Sequence, residues 1–90
     1  MNTRNEIYDL LFTLFHDKQW LCNSCKASQA DPWFSKTYCG IRITVYITNN
    51  HIVIRNNGED QGLISYSDPD FMRKIRGIAR GSIWVGLVKK

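Results

Sequence analysis

Apolar and polar residues alternate most regularly between positions 41 and 55, and that stretch organises the reading of the whole chain. Ile41, Ile43, Val45 and Ile47 alternate with Arg42, Thr44, Tyr46 and Thr48, the period-two signature of a half-buried strand. Asn49 and Asn50 follow, and asparagine tolerates the positive φ of a two-residue hairpin turn. With that turn Thr48 pairs with His51, Ile47 with Ile52, Tyr46 with Val53, Val45 with Ile54 and Thr44 with Arg55. Val45, Ile47, Ile52 and Ile54 then share one face, so turn length and apolar pattern specify the same register.

The flanking segments switch to helical spacing. Thr3 and Glu6 form a T-x-x-E capping box, and Ile7, Leu10, Leu11, Leu14 and Leu21, widened by Tyr8 and Phe15, predict a helix from about residue 4 to 20. Residues 22–40 read as irregular, because Asp31-Pro32 opposes a helix across that point. This loop carries Trp33, Phe34 and Tyr38, either tucked over the core edge or exposed as a binding surface. Asn56-Asn57-Gly58 begins a second turn and residues 62–66 a third strand. Ser67-Asp68-Pro69 signals a helix start. Phe71, Met72, Ile75, Ile78 and Ala79 are its buried stripe and Gly81 its C-terminal cap. Residues 82–88 alternate around Trp84, as in a short final strand or an extended tail. The fold class expected is α+β, in the order α-β-β-β-α-(β), with two helices packed on one face of a small antiparallel sheet.

Ninety residues make one domain, spanning 1–90, with a thin core. With 43% hydrophobic and 22% charged residues the chain has the apolar material to fold. No segment reaches the ~18–20 apolar residues of a membrane span, and the greasy run at 10–15 is too short for a signal peptide. These features, with three cysteines, predict a cytoplasmic protein. Frequent Asn and Ile with scarce Ala suggest an AT-rich gene of the phage or plasmid kind.

Charge changes the picture more than composition does. Residues 1–70 hold six Lys/Arg against eight Asp/Glu, a net of −2, whereas residues 71–90 hold six Lys/Arg and no acid, a net of +6. Arg73, Arg76 and Arg80 fall on one helical face at i, i+3 and i+7, with Lys74 about 100° round the helix. Planar guanidinium forks suit phosphate and carboxylate, so this face points to nucleic acid or an acidic protein surface, although any amphipathic helix also needs a polar outer side. On the exposed sheet face, Arg42, Tyr46 and Arg55 interleave basic and aromatic groups as a single-strand binder does. The partner-binding set expected is therefore Arg73, Lys74, Arg76, Arg80, Trp33, Phe34, Tyr46, Arg42 and Arg55.

Cys22-Asn-Ser-Cys25 has zinc-knuckle spacing, with Cys39 and His51 or His16 as remaining ligands. A second close pair is missing, so no metal and no cofactor are expected. Glycine-rich phosphate loops, nucleophile elbows and H-E-x-x-H are absent, which argues against an enzyme. Over residues 4–80 the element order resembles that of the double-stranded-RNA-binding domain, and Arg73, Lys74 and Arg76 loosely match the lysine-rich start of its second helix. The loop at 22–40 departs from that family. Three functions remain. One is a stoichiometric inhibitor or regulator of a host protein or nucleoprotein complex, of the anti-defence type that anti-CRISPR proteins represent. The second is direct DNA or RNA binding through the basic second helix. The third is a small RNA-cleaving toxin that depends on His51.

Overall fold

The alternating stretch folds into the hairpin that its pattern demands, and further strands extend it on both sides. A computed structural model describes residues 4–24 and 30–81. In chain order these form α1 (Arg4–Asp17), β1 (Leu21–Asn23), β2 (Trp33–Tyr38), β3 (Ile41–Ile47), β4 (His51–Asn56), β5 (Glu59–Ser65) and α2 (Phe71–Ala79). The strands make one antiparallel sheet in the order β1-β2-β3-β4-β5. The protein is thus α+β, with both helices on one face. Thr3 of the expected capping box, Cys25 and the expected final strand around Trp84 lie outside the described residues.

The β3–β4 register matches the alternation pair for pair, from Thr44 opposite Arg55 to Ile47 opposite Ile52. The turn does not work as expected, because neither Asn49 nor Asn50 adopts positive φ. Thr48 closes it instead. Its hydroxyl donates to the His51 carbonyl and accepts from the His51 and Asn50 amides. Positive φ at both central positions occurs in the two other tight hairpins, Cys39-Gly40 (50° and 82°) and Asn57-Gly58 (52° and 88°).

The largest departure concerns residues 22–40, where β1 and β2 replace the expected loop. The observed order has five strands between the helices, so the likeness to the double-stranded-RNA-binding domain does not extend to the structure. Strand β2 lacks clean alternation because Phe34 and Ser35 are both buried. Phe34, expected at a partner surface, is fully buried, its ring stacked between Tyr8 at 4.6 Å and Phe15 at 4.4 Å. It belongs to the core.

That core lies between the sheet and the two helices. Ile43, Val45, Ile47, Ile52, Ile54 and Ile64 rise from the strands against Ile7, Tyr8, Leu11 and Phe15 of α1 and Ile75, Ile78 and Ala79 of α2. The buried stripe of α1 is rotated from the expected one, and Leu10 is 65% exposed. Helix α1 ends three residues early in a Schellman cap. Gln19 has φ 68°, its amide reaches the His16 carbonyl, and the Trp20 amide reaches that of Phe15. Trp20 packs edge-on to Phe15 at 4.9 Å and donates its indole N–H to the Ala79 carbonyl at 3.0 Å, tying the two helices together. Helix α2 begins at Phe71, not at Pro69, because the Asp68 carboxylate holds the Asp70 amide in a preceding turn. Gly81, with φ 82°, caps α2 as expected.

Candidate binding surface

Both helices cover the face bearing Ile43, Val45 and Ile47, so among the described residues no helix covers the opposite, open face of the sheet. Strand alternation assigns its side chains. The registers align Asn23, Trp33, Tyr46, Val53 and Leu63 in one row across all five strands. The neighbouring row holds Leu21, Ser35, Thr44, Arg55 and Asp60, and Arg42 lies one step beyond Thr44. Trp33, Tyr46 and Val53 are half-buried, whereas Leu63 is 65% exposed at the β5 edge.

Trp33 and Tyr46 form a ridge between two shallow grooves. One, of about 370 Å³, is lined by Asp31, Thr48, Val53 and Arg55 besides the two aromatics. The other, of about 460 Å³, adds Arg42, Thr44, Asn57 and Gly58. Each groove therefore carries one arginine. The Arg42 guanidinium reaches the Ser35 hydroxyl at 3.1 Å and pairs with no acid among the described residues. That of Arg55 lies 5.1 Å from the Tyr46 ring centre and pairs with Asp60 at 2.7 Å, which neutralises much of its charge. Asp31, at the rim of the first groove, pairs with Arg4 at 3.1 Å. Tyr66 donates its hydroxyl to the Thr48 carbonyl. Burial, with a smaller push from the Asp31 charge, raises its pKa to about 12, so the phenol stays protonated.

The expected set thus divides between two sides of the molecule. Trp33, Arg42, Tyr46 and Arg55 converge on the open sheet face. Arg73, Lys74 and Arg76 lie on α2 and Arg80 is its C-cap, and α2 packs on the other face of the sheet. The helix is also less basic than its sequence suggests. Arg73 pairs with Asp70 at 2.9 Å and Lys74 with Asp68 at 2.7 Å, which raises the pKa of Arg73 and lowers that of Asp68. Arg76 and Arg80 are exposed and pair with no acid among the described residues.

Alternation alone places Tyr46 on the open face, whereas Trp33 falls in the stretch expected as a loop, and Asp31 and Leu63 become its neighbours only through strand pairing and the groove that it lines. The signal was the strand-forming run Trp-Phe-Ser-Lys-Thr-Tyr followed by Cys-Gly, a glycine-bearing two-residue hairpin turn. Of the cysteine and histidine positions raised for zinc, Cys25 lies outside the described residues, and the described ones form no group of three or more ligands. Cys39 and His51 stand at opposite ends of β3, and Cys22 sits in β1, where burial raises its thiol pKa. No helix among the described residues is long and apolar enough to cross a membrane. The chain matches no protein-family model, no curated protein and no solved structure.

Proposed function

We propose that this protein is a non-enzymatic binding module whose open sheet face takes up single-stranded nucleic acid. The observation that carries the reading is the pairing of Trp33 with Tyr46 on adjacent strands, on the sheet face that neither helix covers among the described residues, with one arginine in the groove on either side. Bases stack on such rings regardless of sequence, each stacked base worth about 1–3 kcal/mol, while guanidinium groups hold the phosphates. Thr44 adds a hydroxyl that can donate or accept at base edges or sugars.

Fluorescence anisotropy with labelled single- and double-stranded DNA and RNA, across a salt series, tests it. Single strands should bind more tightly than duplexes, and affinity should fall with salt. Trp33→Ala and Tyr46→Ala should each weaken binding about tenfold. Arg42→Glu should also flatten the salt dependence, by roughly 0.7 in the log–log slope when one phosphate is no longer neutralised. Arg76→Glu/Arg80→Glu, behind the sheet, should leave binding nearly unchanged. If that pair abolishes binding while Trp33→Ala has no effect, the second helix is the nucleic-acid surface and the sheet-face reading fails. Wild-type protein that shortens the RNA, with the activity lost in a folded His51→Ala variant, would restore the toxin reading.

A stoichiometric inhibitor of a host protein or nucleoprotein complex is the second reading. Val53 and Leu63 favour it, because they continue the aromatic row as an apolar strip to the sheet edge. So does the Arg55–Asp60 pair, which leaves the face only weakly basic. Tryptophan, tyrosine and arginine are also the side chains that dominate protein interfaces. On this reading Trp33→Ala and Leu63→Asp abolish capture of a protein partner, and salt has little effect.

A further inference from the structure

Asp31 sits where a surface built only to hold phosphate would not place an acid. It shares the first groove with Trp33, Tyr46, Thr48 and Arg55, and its side chain is 39% exposed. Arg4 Nη1 donates to Oδ1. A carboxylate has about four acceptor sites over two oxygens, so this hydrogen bond leaves spare acceptor capacity on a residue that lines the groove. On a single-strand surface a negative charge repels the backbone, and its favourable use is to accept hydrogen bonds from a base stacked beside it.

Base edges differ in what they offer a carboxylate. Guanine presents N1–H and the N2 amino group side by side, two adjacent donors that match the spacing of two carboxylate oxygens. Adenine and cytosine each set one amino group beside an acceptor nitrogen, which would face the second oxygen unfavourably. Uracil and thymine set a single N–H between two carbonyls. Arg55, on the same groove, carries the planar fork that pairs with O6 and N7 on the other edge of guanine. Resting on the single-strand reading above, we propose that the groove between Asp31 and Arg55 is a guanine-selective subsite, with Trp33 and Tyr46 as its stacking platform.

The test uses seven-nucleotide RNAs of uridine whose central position is G, A, C or U, with the deoxy series alongside, read by anisotropy at low salt. The G heptamer should bind about tenfold more tightly than the other three, the discrimination expected of a bidentate base contact. Asp31→Asn swaps one oxygen for an amino donor and removes a negative charge, so it should reduce the G heptamer to the level of the rest while all-uridine binding is no weaker than in the wild type. Arg4→Gln removes the ion pair but keeps the carboxylate, so it should retain the preference for G. Equal binding of all four heptamers overturns the subsite and leaves the single-strand reading standing. Failure of every heptamer to bind overturns both. Guanine preference that persists in Asp31→Asn, or disappears in Arg4→Gln, removes Asp31 from the recognition.

Discussion

Adjacent residues on β2 serve opposite sides of the sheet, and the difference is measurable. Phe34 completes a stack of three rings in the core, while Trp33 faces the open side. Phe34→Ala should cost about 3–5 kcal/mol in urea unfolding, the usual loss for a buried phenylalanine. Trp33→Ala should cost less stability and instead weaken ligand binding. Tyr66 gives a second residue-scale outcome. Its phenol has an ordinary value near 10 but is raised to about 12 in the fold, first by burial and then by the charge of Asp31. The folded state therefore holds this proton more tightly than the unfolded chain. The resulting stabilisation is complete below about pH 10 and is lost as pH rises towards about 12. The urea midpoint of the wild type should fall across that window, and Tyr66→Phe should flatten the fall.

At the scale of elements, tight turns set which strands pair. Gly40 and Gly58 hold φ near +82° and +88°, and a Cβ built on either meets nothing within 4 Å. Alanine at either position thus costs backbone strain without a clash, roughly 1–2 kcal/mol. Each single variant should lower the urea midpoint by a similar amount with an unchanged denaturant slope. A larger loss at one site would mean that the turn governs pairing beyond its own strain. The β3–β4 turn relies on a hydroxyl instead, so Thr48→Val should destabilise the protein while Asn49→Gly should not. Turn chemistry also explains what was legible here. The 41–55 hairpin has strict alternation on both arms, which specifies its register pair for pair. Strand β2 buries two consecutive residues and follows a proline, so its pattern gave no period to recognise.

For the whole molecule, the decisive fact is that the two arginine groups lie on opposite sides of the sheet. Sequence position concentrates the positive charge at 71–90, but folding brings Asp68 and Asp70 against Lys74 and Arg73. Arg73–Asp70 is an exposed pair and Lys74–Asp68 a part-buried one at the surface, and pairs so close to water contribute little to stability. Asp68→Asn should therefore change the unfolding free energy only slightly, and added salt should not enlarge the change. Their larger effect is on the field, because they reduce the positive potential of the helix and leave Arg76 and Arg80 as its unpaired cations among the described residues. Charge along the sequence favours α2, whereas the aromatic platform favours the sheet. Comparing Arg76→Glu/Arg80→Glu with Trp33→Ala in one binding assay separates them.

Periodicity and turn length by themselves determined the α+β class, the 41–55 hairpin and its register, the buried Ile75, Ile78 and Ala79 of α2 (Phe71 and Met72 are only partly buried) and its glycine cap. All of these depend on interactions between near neighbours along the chain. Tertiary structure decided the rest. The fate of Trp33 and Phe34 depended on β2 pairing with β3 and on α1 supplying Tyr8 and Phe15 to stack on Phe34. The grouping of Asp31, Trp33, Tyr46 and Arg55 brings together residues from three strands and the segment before β2, across up to 24 positions. Hydrophobic patterning states which side chains leave water. Only strand order and helix placement state which polar and aromatic side chains are left together on the side that remains open.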